Sequence, residues 1–217
     1  MIDFHTHTIF SDGELIPSEL VRRAAVNGYE AIALTDHVDS SNIDFVLPRI
    51  VKAAKQLNKY WKIRVLPGVE ISHVPLEDIG RLIKFARKKG AKIVIVHGET
   101  TMEPVIPGTN RKAIECKADI LAHPGHLSKS DAKLAAKKGV YIEITTRRNH
   151  RGTNKEIIKV AKQTGAKLVL NTDTHSDRDL INDKKAINFL KRLNLTQGEI
   201  KKIFSNSKEL LKIKKVA

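Results

Sequence analysis

The chain holds one cysteine, Cys116, in 217 residues. An intrachain disulfide is therefore excluded, and a reducing compartment such as the cytoplasm is expected. Any metal site would be built from nitrogen and oxygen ligands, since Cys116 precedes an apolar run on the side away from the strand ends. Aromatic residues make up only 5% of the chain and do not interleave with basic ones, so no base-stacking platform is evident. No apolar run approaches the roughly 18 residues of a membrane span. Asp3, His5 and His7 interrupt the first apolar stretch, which therefore does not read as a signal peptide. Neither GxGxxG nor GxxxxGK[ST] occurs, which removes the usual dinucleotide and phosphate loops.

Acidic residues are also scarce, 24 against 39 Lys and Arg, for a formal charge of +15. Much of that charge lies in segments such as KAAKQLNKYWK and KFARKKGAK, which read as solvated helix faces. Nucleic-acid binding is possible but not favoured on this ground, whereas a phosphorylated substrate suits the charge. Apolar residues are 41% and charged residues 29%, the composition of one globular domain over 1–217 with no evident linker.

What is present is an alternation. A short apolar run leads to a turn, an amphipathic segment and a glycine, and the phrase then repeats. MIDFH precedes PSELVRRAAVNG, YEAIALTDH precedes a helix from about Ile43 to Lys59, and IRVLPGVEIS precedes LEDIGRLIKFARKKG. AKIVIVHG, ADILAHPG, VYIEITT and AKLVLNTDTH follow with their own segments, and a last helix runs from about Gln197 to Lys212. Seven strands are expected, several too continuously apolar to have a wet face, as parallel strands covered by helices are. Two architectures fit: a closed βα barrel or an open doubly wound sheet. The closing LLKIKKVA is expected to be a solvated charged tail.

The histidines fall at the strand ends. His5 and His7 sit two apart, so they point to one side, and Asp12 follows. His37 ends the second run; Glu70 ends the third, with His73 after it. His97 ends the fourth and His123 the fifth, with His126 beyond. His150 lies in the loop after the sixth, and Asp173 and His175 end the seventh. Carboxylates and imidazoles aimed at one mouth would repel and desolvate at a cost, which cations remove. The ligands exceed what one tetrahedral ion uses, so two or three divalent ions are expected.

HTHxxxSDG at the start, TDH after the second run, GVE after the third, single histidines after the next two, DTH at the seventh and FSNSKELL near the end together resemble the PHP (polymerase and histidinol phosphatase) family, from Met1 to about Leu211. The resemblance implies a distorted (βα)7 TIM-like barrel with a trinuclear centre of zinc, manganese or iron. It implies His5, His7, Glu70 and Asp173 on the first ion, Asp12, His37 and His175 on the second, and Glu70, His97 and His123 on the third, with His73 left out. The implied activity is hydrolysis of a small phosphomonoester, as in histidinol-phosphate phosphatase, by a metal-bridging hydroxide. His150, His126 and His73 are candidates for protonating the leaving group. Arg147, Arg148 and Arg178 are candidates for holding the phosphate, with Arg151 beside them, and Asp36 for orienting a ligand imidazole. Two other readings belong to the same resemblance: a nuclease or nucleoside bisphosphate phosphatase, and a non-catalytic ribonucleoprotein or polymerase-associated subunit. No obligate protein partner is evident.

Overall fold

The computed structural model describes residues 1–214. All strands are parallel and form one ring. They are β1 (Ile2–Asp3), β2 (Ala31–Leu34), β3 (His37–Val38), β4 (Arg64–Ile71), β5 (Ile93–His97), β6 (Ile120–Ala122), β7 (Tyr141–Thr145) and β8 (Leu168–Asn171). The order around the ring is β1-β2-β4-β5-β6-β7-β8, with β3 beside β4. A single parallel bridge, Thr6 to Thr174, joins the last run to the first. The fold is thus the seven-membered βα barrel, and the open-sheet alternative is set aside.

The second expected strand is broken in two. Between β2 and β3 the chain turns toward the segment after β1: Thr35 N–H donates to the Thr6 carbonyl at 2.9 Å, and Thr6 N–H donates to the Thr35 hydroxyl at 3.0 Å. β3 then pairs with the far half of β4, His37 opposite Glu70. This break is what distorts the barrel, and it delivers His37 to the same rim as its neighbours.

Among the described residues eight α-helices wrap the ring: α1 (Pro17–Val26), α2 (Ile43–Tyr60), α3 (Leu76–Lys88), α4 (Thr109–Glu115), α5 (Lys129–Lys138), α6 (Asn154–Thr164), α7 (Asp183–Arg192) and α8 (Gln197–Ile213). Their ends follow local chemistry. Pro17 opens α1, where its missing N–H costs nothing. Ser128 caps α5 by accepting from Asp131 N–H, and Gly139 ends it at φ +73°. Thr196 and Glu199 cap α8 reciprocally.

The core has two layers. An outer layer lies between strands and helices, and a smaller inner one fills the barrel with Phe4, Leu66, Ile93, Ile95, Ile120 and Val169 among others. Leu210 and Leu211 of α8 belong to the inner layer. The expectation of a solvated tail over LLKIKKVA is therefore corrected: its two leucines plug the barrel, because its floor is otherwise open apolar surface. Lys214 Nζ donates to Asp119 at 2.5 Å, and residues 215–217 of that stretch lie outside the described residues. No helix among the described residues is long and apolar enough to cross a membrane.

Candidate metal centre

Parallel strands all end at one rim, and here that rim carries acids and imidazoles. The nine side chains expected at metals come together there. His7, Asp12, His37 and His175 form one group, His5, His7 and Glu70 a second, His5, His123 and Asp173 a third, and Glu70, His97 and His123 a fourth, each with its ligand atoms within 4.8 Å of one another. Sharing makes the groups one cluster. The imidazoles lie face to face: His7 is 4.3 Å from His37 and 4.2 Å from His175 between ring centres. All but Asp12, His37 and His175 are buried.

The orientation of three rings is fixed by what they donate to. His97 Nδ1–H donates to the Gly98 carbonyl at 3.1 Å and His175 Nδ1–H to the Asp173 carbonyl at 2.9 Å. His5 Nδ1 lies 2.8 Å from Glu143. A ring that donates from Nδ1 keeps its lone pair on Nε2. In each case Nε2 faces a carboxylate: His5 faces Glu70 at 3.0 Å, His97 faces Glu103 at 3.1 Å and His175 faces Asp12 at 3.1 Å. Two acceptors held so close repel unless a positive charge lies between them. A proton or a metal ion would serve.

Ionisation points the same way. Burial alone would raise the carboxyl groups of Glu70 and Asp173, but the surrounding imidazoles, His5 foremost, outweigh it and hold both well below the usual carboxylate range. Burial drives the His7 imidazole down to about 3 and His123 well below its ordinary value, so both rings are neutral at pH 7. Burial also opposes protonation of His37, yet the Glu70 carboxylate raises it to about 9. Ionised Glu70 and Asp173 beside the neutral His7 and His123 rings are donors a divalent cation takes, while His5 and His37, which the carboxylates raise against burial, would give up a proton to bind it. The orphaned atoms fit too: both nitrogens of His7, Oε1 of Glu70 and Nδ1 of His123 are buried without a hydrogen-bond partner. His7 Nε2 is 3.2 Å from Asp173 but without hydrogen-bond alignment. Backbone strain gathers here as well, with Asp173 at φ +53° and His123 at φ +22°.

The sequence pattern described as "PHP domain" matches residues 3–107, which carry the first six of these side chains. The chain belongs to the PHP domain family. It is 46% identical to the uncharacterized protein MJ1295 of Methanocaldococcus jannaschii, over 97% of this chain and 98% of that one. It is 27% identical to a protein of Thermoanaerobacter sp. (strain X514) named a probable phosphatase, over 99% and 96% of the two chains. Among solved structures, a chain of archaeal ribonuclease P with mature tRNA superimposes with a TM-score of 0.75 at 18% identity, covering 99% of this chain and 91% of that chain. At that identity the likeness speaks for the fold alone.

This PHP domain contains three acids or amides near the rim that the motifs do not point to. Glu143 sits inside the apolar run YIEIT of β7 and bridges His5 Nδ1 and Asn171 Nδ2, both at 2.8 Å. The signal was legible: an acid flanked by isoleucines, on the strand face shared with Tyr141 and Thr145, points into the barrel. Asn171 in turn accepts from Phe4 N–H at 3.0 Å. Glu103 comes from the irregular segment before α4 and lies 3.0 Å from His73, 3.1 Å from His97 and 3.4 Å from His150. No sequence pattern marks it, because only the fold brings that loop over the mouth.

The remaining expected residues separate. His150, read as a loop residue, stacks on His123 at 4.3 Å and pairs through Nδ1 with the Thr100 hydroxyl at 2.7 Å. His73 stands at the edge, half exposed, against Glu103. His126 is exposed and pairs with Glu156 of α6 at 2.7 Å, outside the ring of imidazoles. Asp36 does not orient His37 as expected. It accepts from Thr8 N–H at 2.7 Å, from the Thr8 hydroxyl and from Ser11 at 3.0 Å, bracing the loop between His7 and Asp12. Arg147 is engaged with Asp179 at 3.0 Å rather than free for a phosphate. Arg148 and Arg178 line a cleft beside the rim.

Proposed function

We propose that this PHP domain is a metal-dependent phosphoesterase acting on a small phosphomonoester. The observation that carries the reading is the convergence of ionised carboxylates on the Nε2 lone pairs of imidazoles at the open rim, an arrangement that a purely structural barrel has no use for. The relative named a probable phosphatase supports it. His5, His7, Glu70 and Asp173 would hold one ion, Asp12, His37 and His175 a second, and Glu70, His97 and His123 a third, with Glu70 shared. Bound divalent ions would supply a water ionised near neutral pH and positive charge for the phosphate oxygens.

The chain's own groups do the positioning. Glu143 and Asn171 fix the His5 ring, so its Nε2 does not turn away from Glu70. Asp36 holds the loop that sets His7 and Asp12 apart. The Gly98 and Asp173 carbonyls fix His97 and His175. His150, held by Thr100 against His123, stands closest to the cluster of the three candidate proton carriers and is the one we assign to the leaving-group oxygen.

The test is metal content together with hydrolysis of p-nitrophenyl phosphate and histidinol phosphate by the purified chain with added manganese. Two or three ions per chain and hydrolysis abolished by His7→Ala and Glu70→Ala are expected. One ion or none in active protein, or a Glu70→Ala chain that hydrolyses normally, would overturn the assignment.

A further inference from the structure

A cleft of about 380 Å³ opens beside the rim, between the loop after β7, the turn after β8 and the face of α7. Its charge is one-sided. Arg148, Arg151, Arg178, Lys185 and Arg192 line it, and its one carboxylate, Asp179, is already occupied by Arg147, His175 N–H and Ser176. The chain has twelve arginines, of which six are in ion pairs among the described residues. Of the other six, four line this one cleft. All four, and Lys185, are exposed, and none of the five has an acidic partner among the described residues. Gathering unpaired guanidinium groups costs repulsion that isolated placement would avoid. Of the seven arginines outside the cleft, five take a neighbouring acid among the described residues.

The cleft also has an apolar wall. Lys185, Phe189 and Arg192 sit at i, i+4 and i+7 of α7 and so share one face. Phe189 and Ile181, both partly buried, form the surface between the cations. Planar guanidinium forks around an apolar wall suit the phosphate of an organic phosphate better than a bare carboxylate or a metal. The cleft is also tied to the cluster: Thr172 lines it next to Asp173, and Arg151 follows His150.

We infer that this cleft is a second phosphate-binding site, separate from the candidate metal centre, that takes a phosphate group other than the one hydrolysed. One source is a further phosphate on the same substrate, a reading that rests on the phosphoesterase proposal. The other is a free phosphate ion.

The variant for the test is Lys185→Glu with Arg192→Glu, both exposed on α7 and outside the metal cluster, with the milder Lys185→Ala/Arg192→Ala as a second in case the first fails to fold. The matched substrates are adenosine 3′,5′-bisphosphate and adenosine 5′-monophosphate, run on the metal-loaded full chain, and inorganic phosphate is titrated into the same protein by calorimetry. If the source is the substrate, the variant raises KM for the bisphosphate tenfold or more and leaves KM for the monophosphate, and kcat for both, within twofold. If the source is free phosphate, the wild type shows two classes of phosphate site and the variant one, with both KM values unmoved. Unchanged KM values together with unchanged phosphate binding would overturn the inference. A chain that hydrolyses neither adenosine compound would instead count against the phosphoesterase proposal, while the phosphate titration still decides the cleft.

Discussion

Glu143 shows how much a single residue outside the motifs can carry. It lies fully buried between His5 and Asn171, and its carboxylate decides which nitrogen of His5 presents a lone pair to the cluster. Glu143→Gln keeps the shape but can turn its amide N–H toward that nitrogen and reverse the donor pattern. We expect metal affinity to fall about 10- to 100-fold, the usual cost of losing such a partner, with the fold retained. Competition with a chromogenic chelator reads this directly, and unchanged affinity would remove Glu143 from the account. At the same scale, Asp36→Asn should loosen the loop between His7 and Asp12, whereas its effect on His37 should be small, since Asp36 makes its bonds to Thr8 and Ser11.

Among the elements, β5 and β6 bring His97 and His123 to the rim side by side, and Gly98 makes their approach possible. A Cβ at Gly98 would lie 2.2 Å from the Ala122 carbonyl oxygen and 2.7 Å from Pro124, so backbone would have to move. Gly98→Ala is expected to cost about 1–3 kcal/mol of stability, the range for overpacking, and to weaken metal binding by shifting His97. Urea unfolding and metal titration of the variant check both. α8 tests a different kind of local design. Thr196 caps it with Glu199, and Thr196→Ala should cost about 1 kcal/mol. Glu199 is also drawn to Lys162, and that pair together with the Thr196 N–H holds its carboxyl down at about 2. A depressed carboxyl stabilises the fold above its ordinary value of 4.5 and loses that contribution as pH falls toward 2. The difference in urea midpoint between the parent and Glu199→Gln should therefore be present at pH 6 and shrink below 4.5. Because Glu199 is exposed, the difference should also shrink in high salt.

For the whole molecule, the cluster draws its members from every strand of the ring but β7, the first and the last included, so ions bound there would tie the barrel's two ends of sequence together. Ligand bound only to the folded chain at 100 times its Kd stabilises by about 2.7 kcal/mol, and in a chain of this size each kcal/mol moves Tm by about 2–4 °C. Chelation should therefore lower Tm by about 5–10 °C, reversibly on adding metal back; a Tm indifferent to chelator would argue against a shared centre. The +15 charge makes salt a second whole-molecule probe. A small substrate gives mild dependence of KM on salt, whereas a nucleic-acid substrate would give a steep log–log slope from counterion release.

The sequence alone determined the alternation of strands and helices, the count of seven in the ring and the placing of histidines and acids at strand ends, because strand periodicity and helix caps are written in neighbouring residues. Glu70, His97 and Asp173 were legible for that reason, and so was Glu143 in principle, as an acid inside an apolar strand. Tertiary structure alone decided the break between β2 and β3, the burial of Leu210 and Leu211 in the barrel floor, Glu103 over the mouth, and the joining of Arg148, Arg178 and Arg192 in one cleft. Each of these depends on contacts between segments far apart in the chain, where spacing along the sequence carries no distance.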